Sequence, residues 1–221
     1  NRPALVKLCA PYVYEADLDF DKEESTYIRW VNCSQEEYRK VRERVLADYG
    51  SYCIDSLLVL FSELQRIAAC MPAKNEAVSE YITGQQCVCF CNYRDEIEQI
   101  QKLCECYVIT GETTLKKRKE IVKKFKEEES KPLLIMMGCG SYGLNLQFCN
   151  EIVYSSINFD YAKMEQSQYR IKRIGQESDI TYTYILADTG INRMMFSNLD
   201  KKESLLEIVK NLMREAKNEK V

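Results

Sequence analysis

From residue 86 onward, short runs rich in β-branched, aromatic and cysteine residues alternate with stretches of helical periodicity. "CVCFC" (87–91) precedes a helical pattern over 93–104, "CYVIT" (106–110) one over 115–128, and "EIVYSS" (151–156) one over 161–172. "PLLIMM" (132–137) lies between them, and "TYTYILA" (181–187) precedes a last helical stretch. Leu133 to Met137 is apolar on both faces, which suits a strand in a parallel sheet covered by helices, joined by right-handed crossovers. The expected fold is therefore α/β: an open, mainly parallel sheet with helices on both faces. Ahead of it, residues 34–83 read as three helices: "SQEEYRKVRERVLADY" from Ser34 with S-x-x-E to Glu37, then 53–70, then 74–83 after Pro72. Residues 26–33, "TYIRWVNC", alternate like an edge strand. The stripes "LLVLF" (57–61) and "SLLEIVKNLM" (204–213), with Phe90, Ile135 and Ile152, read as core.

A chain of 221 residues suffices for one well-packed domain with an appended helical piece. It opens at Asn1 without a Met or a secretory apolar stretch, so it is expected to be processed or cut from a longer protein. No apolar run approaches the eighteen or so residues of a membrane span. The net charge of −3 argues against a whole-surface grip on nucleic acid, so any such contact must be local. Charge is uneven: residues 15–24 carry six acids against one Lys, while 116–131 carry eight bases against four acids. The first reads as a solvated loop and the second as a basic helix face. Eleven cysteines without a secretion signal point to reduced thiols in a cytoplasmic protein. The spacings of Cys87, Cys89 and Cys91, and of Cys104 and Cys106, are too short for a zinc site, so no metal is expected. The chain has no His, which excludes Ser-His-Asp and Cys-His nucleophilic chemistry.

"GCGSYG" (138–143) has the letters of the dinucleotide fingerprint G-x-G-x-x-G, but about seven residues separate Gly143 from the strand near Glu151. That is too short for the crossover helix such a motif needs. Spacing leaves two readings open: a structural turn, or a loop whose backbone approaches a ligand closely.

Taken in order, these segments resemble the second RecA-like lobe of the Snf-type ATPases of helicase superfamily two. "QCVCFCNY" (86–93) is similar to the strand that opens that lobe. "VITGETTLKKRKEIVKKF" (108–125) is similar to the family's G-S-T/S and following helix, at Gly111, Thr113, Arg118 and Phe125. "GCGSYGLNL" (138–146) resembles A-G-G-x-G-L-N-L, and "QSQYRIKRIGQ" (166–176) resembles Q-A-x-x-R-x-x-R-I-G-Q. Ser141 stands where the family has a second Gly, and "SINFDY" (156–161) replaces D-P-D-W-N-P, a variant that resembles phage and prophage members. The chain holds no G-x-x-x-x-G-K-[ST] and no strand-borne Asp-Glu pair for Mg²⁺; the resemblance places both in an N-terminal lobe.

The resemblance implies three regions: a connecting segment, edge strand and helical protrusion (1–85), a RecA-like lobe (86–190) and a C-terminal helical extension (191–221). It implies an ATP-dependent translocase on double-stranded DNA, inactive without the N-terminal lobe that binds most of the ATP and Mg²⁺. On a helix Gln166, Arg170 and Arg173 would share one face; by the resemblance Arg173 is the finger on the γ-phosphate, Arg170 its companion, and Gln166 a link to the same cleft. Gly143 and Asn145 fall at nucleotide-side positions. Gly111, Thr113, Thr114 and Lys117, with Gly140, Ser141 and Tyr142, fall where the family meets the DNA backbone. The alternatives are a strand-separating DNA or RNA helicase lobe and a non-catalytic α/β module that binds partners.

Overall fold

The computed structural model of the protein describes residues 20–48, 54–139 and 144–199. Among them lies one six-stranded sheet, in the order β1 (Glu24–Val31), β6 (Ile180–Ala187), β5 (Glu151–Tyr154), β2 (Val88–Cys91), β4 (Leu133–Met136), β3 (Tyr107–Ile109). Every pairing is parallel, so all the strands' carboxyl ends lie along one edge of the sheet. Seven described helices surround it: α1 (Glu36–Asp48), α2 (Ile54–Ala69), α3 (Pro72–Ile82), α4 (Arg94–Gln101), α5 (Leu115–Glu127), α6 (Tyr161–Gln168) and α7 (Gly190–Ser197). This is the expected open RecA-like α/β sheet. No described helix is long and apolar enough to cross a membrane.

Alternation along the strands feeds two cores. Cys87, Cys89, Cys91, Leu134, Val153 and Ile185 face α3 and α4, whereas Val88, Phe90, Leu133, Ile135, Ile152 and Tyr154 face the layer holding α2, α5, α6 and α7. Both sides of every central strand are thus buried, which is why these strands read as continuous apolar runs. On the second face Phe90, Tyr154 and Tyr184 occupy adjacent register positions and stack, at centroid distances of 5.9 Å and 4.7 Å. The Tyr154 hydroxyl reaches Ser167 Oγ at 2.7 Å and so fastens α6 to this ladder.

Several boundaries differ from the sequence reading. Helix α1 starts at Glu36 rather than Ser34, and the Gln35 side chain instead donates to the Asp188 carbonyl at 2.7 Å. In the "LLVLF" stretch Leu60 is core but Val59 is 67% exposed, because a helix on a sheet buries only one stripe. The helix expected over 161–172 stops at Gln168. The stripe at 204–213, most of the C-terminal extension and residues 1–19 lie outside the described residues.

Candidate functional site

The early stop of α6 shapes the arginine pair. Asp160 caps its start, accepting from Lys163 N–H at 3.2 Å. At the other end the Arg170 carbonyl, which an uninterrupted helix would offer to residue 174, accepts instead from Leu146 N–H at 3.1 Å. The chain leaves the helix in tight turns, with Ile171 fully buried as their anchor. The expectation that Gln166, Arg170 and Arg173 share one helical face is therefore corrected. Gln166 is exposed on α6 itself, and both arginines lie in the turn beyond it.

Within that turn Arg170 is 9% exposed and its Nε has no hydrogen-bond partner among the described residues. Burial, and then the neighbouring Arg173 cation, hold its pKa below the ordinary arginine value. Arg173 is half-buried and its Nε donates to the Tyr169 carbonyl at 2.8 Å, leaving the two Nη groups for other partners. Among the described residues no carboxylate forms an ion pair with either arginine, although most other arginines that pair do so with Asp or Glu. Two guanidiniums that repel each other, with no carboxylate paired to them among the described residues, are chemically suited to an anion.

The turn is stapled to the segment that follows the glycine-rich loop. Gly175 has φ +95°, and a Cβ there would lie 2.9 Å from Gln147 Nε2, so only glycine fits without displacement. Gln176 is buried; its Nε2 donates to the carbonyls of Cys149 (3.0 Å) and Ile171 (3.3 Å), and its Oε1 accepts from Ser178 N–H at 3.1 Å. Asn145, next to the Leu146 tie, is exposed and its Oδ1 accepts from Gln147 N–H at 3.5 Å. It is thus adjacent to the arginine turn through its neighbour Leu146. Gly143, with Gly140, Ser141 and Tyr142, lies outside the described residues.

At the carboxyl end of β3, residues 110–114 form a turn that launches the basic helix α5. Thr113 Oγ1 accepts from Thr110 N–H at 3.0 Å, and Thr114 Oγ1 caps α5 by accepting from Lys117 N–H at 3.4 Å. Each hydroxyl uses an acceptor position in these bonds, so its own proton can point outward. Gly111 is exposed beside them, as is Lys117. Arg118 is buried: its Nε donates to the Thr113 carbonyl at 2.7 Å and its Nη2 to the Thr110 carbonyl at 2.9 Å, holding the turn from beneath. A helix N-terminus with two hydroxyls whose protons remain to be donated and an exposed lysine suits a phosphate. A groove of about 830 Å³ runs beside α5, with Lys119, Lys123 and Lys126 on one rim and Asn145, Gln147 and Gly175 on the other.

The structural anchors Arg118 and Gln176 stand inside the motifs that the sequence offers, but their burial is not readable there. Lys74 and Glu96, fully buried, had no sequence signal at all: each looks like an ordinary surface charge on a helix.

The model of the family described as "Helicase conserved C-terminal domain" matches residues 73–175. The DNA repair and recombination protein RAD54-like of Gallus gallus is 30% identical over 141 residues, covering 60% of this chain and 19% of the relative. The DNA repair protein RAD5 of Eremothecium gossypii is 29% identical over 129 residues, covering 54% and 12%. The DNA annealing helicase and endonuclease ZRANB3 of Bos taurus is 22% identical over 184 residues, covering 78% and 17%. The chain thus spans less than a fifth of the length of these curated relatives. Among solved structures, the C-terminal part of the Fun30 ATPase domain superposes with a TM-score of 0.66 at 11% identity, over 88% of this chain and 96% of that one. The Sulfolobus solfataricus SWI2/SNF2 ATPase core in complex with dsDNA gives a TM-score of 0.66 at 17% identity, over 94% and 52%.

Proposed function

We propose that the chain, similar to the C-terminal RecA-like lobe of the Snf-type branch of the superfamily-two helicases, is the second motor lobe of an ATP-dependent translocase on double-stranded DNA. The observation that carries this reading is the Arg170–Arg173 turn: two adjacent guanidiniums, one buried, with no carboxylate counter-ion among the described residues.

Phosphoryl transfer develops charge on the γ-phosphate oxygens, and fixed cations aimed at that charge lower the barrier. Held by the Tyr169 carbonyl and backed by Arg170, Arg173 would meet a nucleotide carried on the N-terminal lobe when the lobes close. Asn145, beside the Leu146 tie, would meet the nucleotide at the same boundary, with Gln166 one turn before Arg170 on α6. With no carboxylate paired to it, this turn fits phosphate oxygens and not a divalent cation; Mg²⁺ would be held by the N-terminal lobe, where it neutralises phosphate charge. The Gly111–Thr114 turn and Lys117 would hold the DNA backbone, together with the loop at Gly140, Ser141 and Tyr142, while Gly143 would join Asn145 on the nucleotide side. The relative bound to dsDNA and the relatives named for DNA repair support DNA as the track. We place the activity in the cytoplasm, in keeping with the free thiols of the described cysteines.

The test is Arg173→Ala in the protein carrying both lobes. DNA-stimulated ATP hydrolysis should fall by about 10³-fold or more while ATP affinity changes little. Near-normal turnover would overturn the assignment.

A further inference from the structure

A second charged feature lies away from the arginine turn. Lys74, in the first turn of α3, and Glu96, in the first turn of α4, are both 0% exposed and form an ion pair at 2.8 Å. All three ammonium protons are placed: on Glu96 Oε1, on Ser155 Oγ at 2.9 Å and on the Ser155 carbonyl at 3.0 Å. The carboxylate is equally occupied. Its Oε1 also accepts from Ser155 Oγ at 2.6 Å, and its Oε2 accepts from Ser156 Oγ (2.8 Å), Asn92 N–H (3.0 Å) and Tyr93 N–H (3.4 Å). The loop from β5 to α6 takes further bonds from its neighbours. Asn158 Nδ2 donates to Asn92 Oδ1 at 2.9 Å, and Gln65 Nε2 of α2 donates to the Ile157 carbonyl at 2.8 Å.

Ion pairs this deep rarely add stability over an apolar pair of similar volume, because desolvation offsets the attraction. What such a pair supplies is direction: every partner must sit at one distance and angle or lose a hydrogen bond in a dry site. Here the partners are the turn after β2, the starts of α3 and α4, and residues 155–156, the first of the loop that leads into α6. At its far end α6 passes into the arginine turn, fastened by the bond between Leu146 and Arg170.

We propose that the Lys74–Glu96 pair is a positioning device: it fixes the β5–α6 loop at the sheet's carboxyl edge and, through α6, the placement of the Arg170–Arg173 turn. Lys74 and Glu96 touch neither nucleotide nor DNA in this scheme; they act through Ser155 and Ser156. The inference rests on the reading of that turn as the phosphate site, and its experiment separates the two.

In the protein carrying both lobes, the double variant Lys74→Met/Glu96→Gln removes both charges while keeping volume and an acceptor for the Asn92 N–H. The melting temperature should stay close to that of the parent. Amide exchange across residues 157–173 should accelerate about tenfold or more, with β2 and β5 unchanged. The kcat for ATP hydrolysis should fall about 10²-fold, as for a misplaced catalytic group, while KM for ATP stays within about twofold. Unchanged exchange and unchanged kcat would overturn the positioning role. If Arg173→Ala abolishes turnover in the same assay, the phosphate reading survives that failure. If Arg173→Ala is silent, the phosphate reading fails, and the exchange readout still decides whether the pair positions the loop. Should the double variant not fold, Ser156→Ala removes one loop contact to Glu96, along with the bonds that Ser156 Oγ accepts from Asn92, and is judged by the same exchange and kcat readouts.

Discussion

Leu146 N–H and the Arg170 carbonyl meet at 3.1 Å, joining the segment after the glycine-rich loop to the end of α6. This bond takes an acceptor that a longer helix would have offered to residue 174 and ties the turn holding Arg170 to that segment. The guanidinium is then desolvated without an ion-pair partner among the described residues.

Arg170→Met should therefore leave the melting temperature unchanged or raise it, since it replaces an uncompensated buried charge with a side chain of similar length. DNA-stimulated turnover should fall by about 10² to 10³-fold, as for loss of one preorganised donor. Thermal melts and ATPase assays on one preparation check both halves. Marked destabilisation would mean that the guanidinium is bonded within the protein.

Gly175 and Gly84 form a matched pair of probes. Both have positive φ, +95° and +78°, but only Gly175 has a neighbour within reach of a Cβ, Gln147. Each Gly→Ala change should cost about 1–2 kcal/mol from backbone strain alone. Only Gly175→Ala should also depress ATP turnover, because Gln147 must move beside the arginine turn. Parallel denaturant titrations and ATPase rates on the two variants give the comparison.

Asp160 carries a pH dependence. Its hydrogen bond with the Lys163 side chain, reinforced by the Lys163 N–H that it caps, holds its pKa below the ordinary carboxylate value. A lowered folded-state pKa means a contribution fully present above the unfolded-chain value of about 3.9 and lost as pH falls through the folded value. Asp160→Ala should cost about 1 kcal/mol at neutral pH, and the difference from the parent should shrink in acid below that value. Asp160→Asn, which keeps the capping oxygen, should lose little and show no such convergence. Urea unfolding followed by circular dichroism at the two pH values measures this.

The basic start of α5 predicts how DNA binding responds to salt. In the two-lobed protein, Lys117→Ala should weaken binding about equally for unrelated duplex sequences and reduce the slope of log K against log salt by about 1. Fluorescence anisotropy with two unrelated duplexes over a salt series tests it, and an unchanged slope would remove Lys117 from the interface.

Much of the scaffold could be read from the chain because its signals are local. Leu133 to Met136 is apolar in every residue, and a strand flanked by partners and covered on both faces needs nothing else to announce it. Thr114 likewise stands at the boundary of a basic helix, where a cap belongs. The fastening of the turn after α6 was not legible, because the partner of the Arg170 carbonyl, Leu146, lies 24 residues earlier (170 − 146) and only the folded sheet brings it there. Lys74 and Glu96 were equally hidden: their burial depends on Ser155, a residue three strands beyond Glu96. The motif letters thus located the arginines, while tertiary hydrogen bonds decided where they point.

The cysteine-rich strand β2 has a practical consequence. Cys87, Cys89 and Cys91 are wholly enclosed at the middle of the sheet, and burial pushes the Cys87 and Cys91 thiols well up from their usual range. Thiolate formation and reagent access are both suppressed until the covering helices α3 and α4 leave this face of the sheet. The protein therefore carries its own stopwatch: the rate at which a maleimide dye captures these three sulfurs clocks rupture of the whole assembly, blind to the fraying of its outer turns.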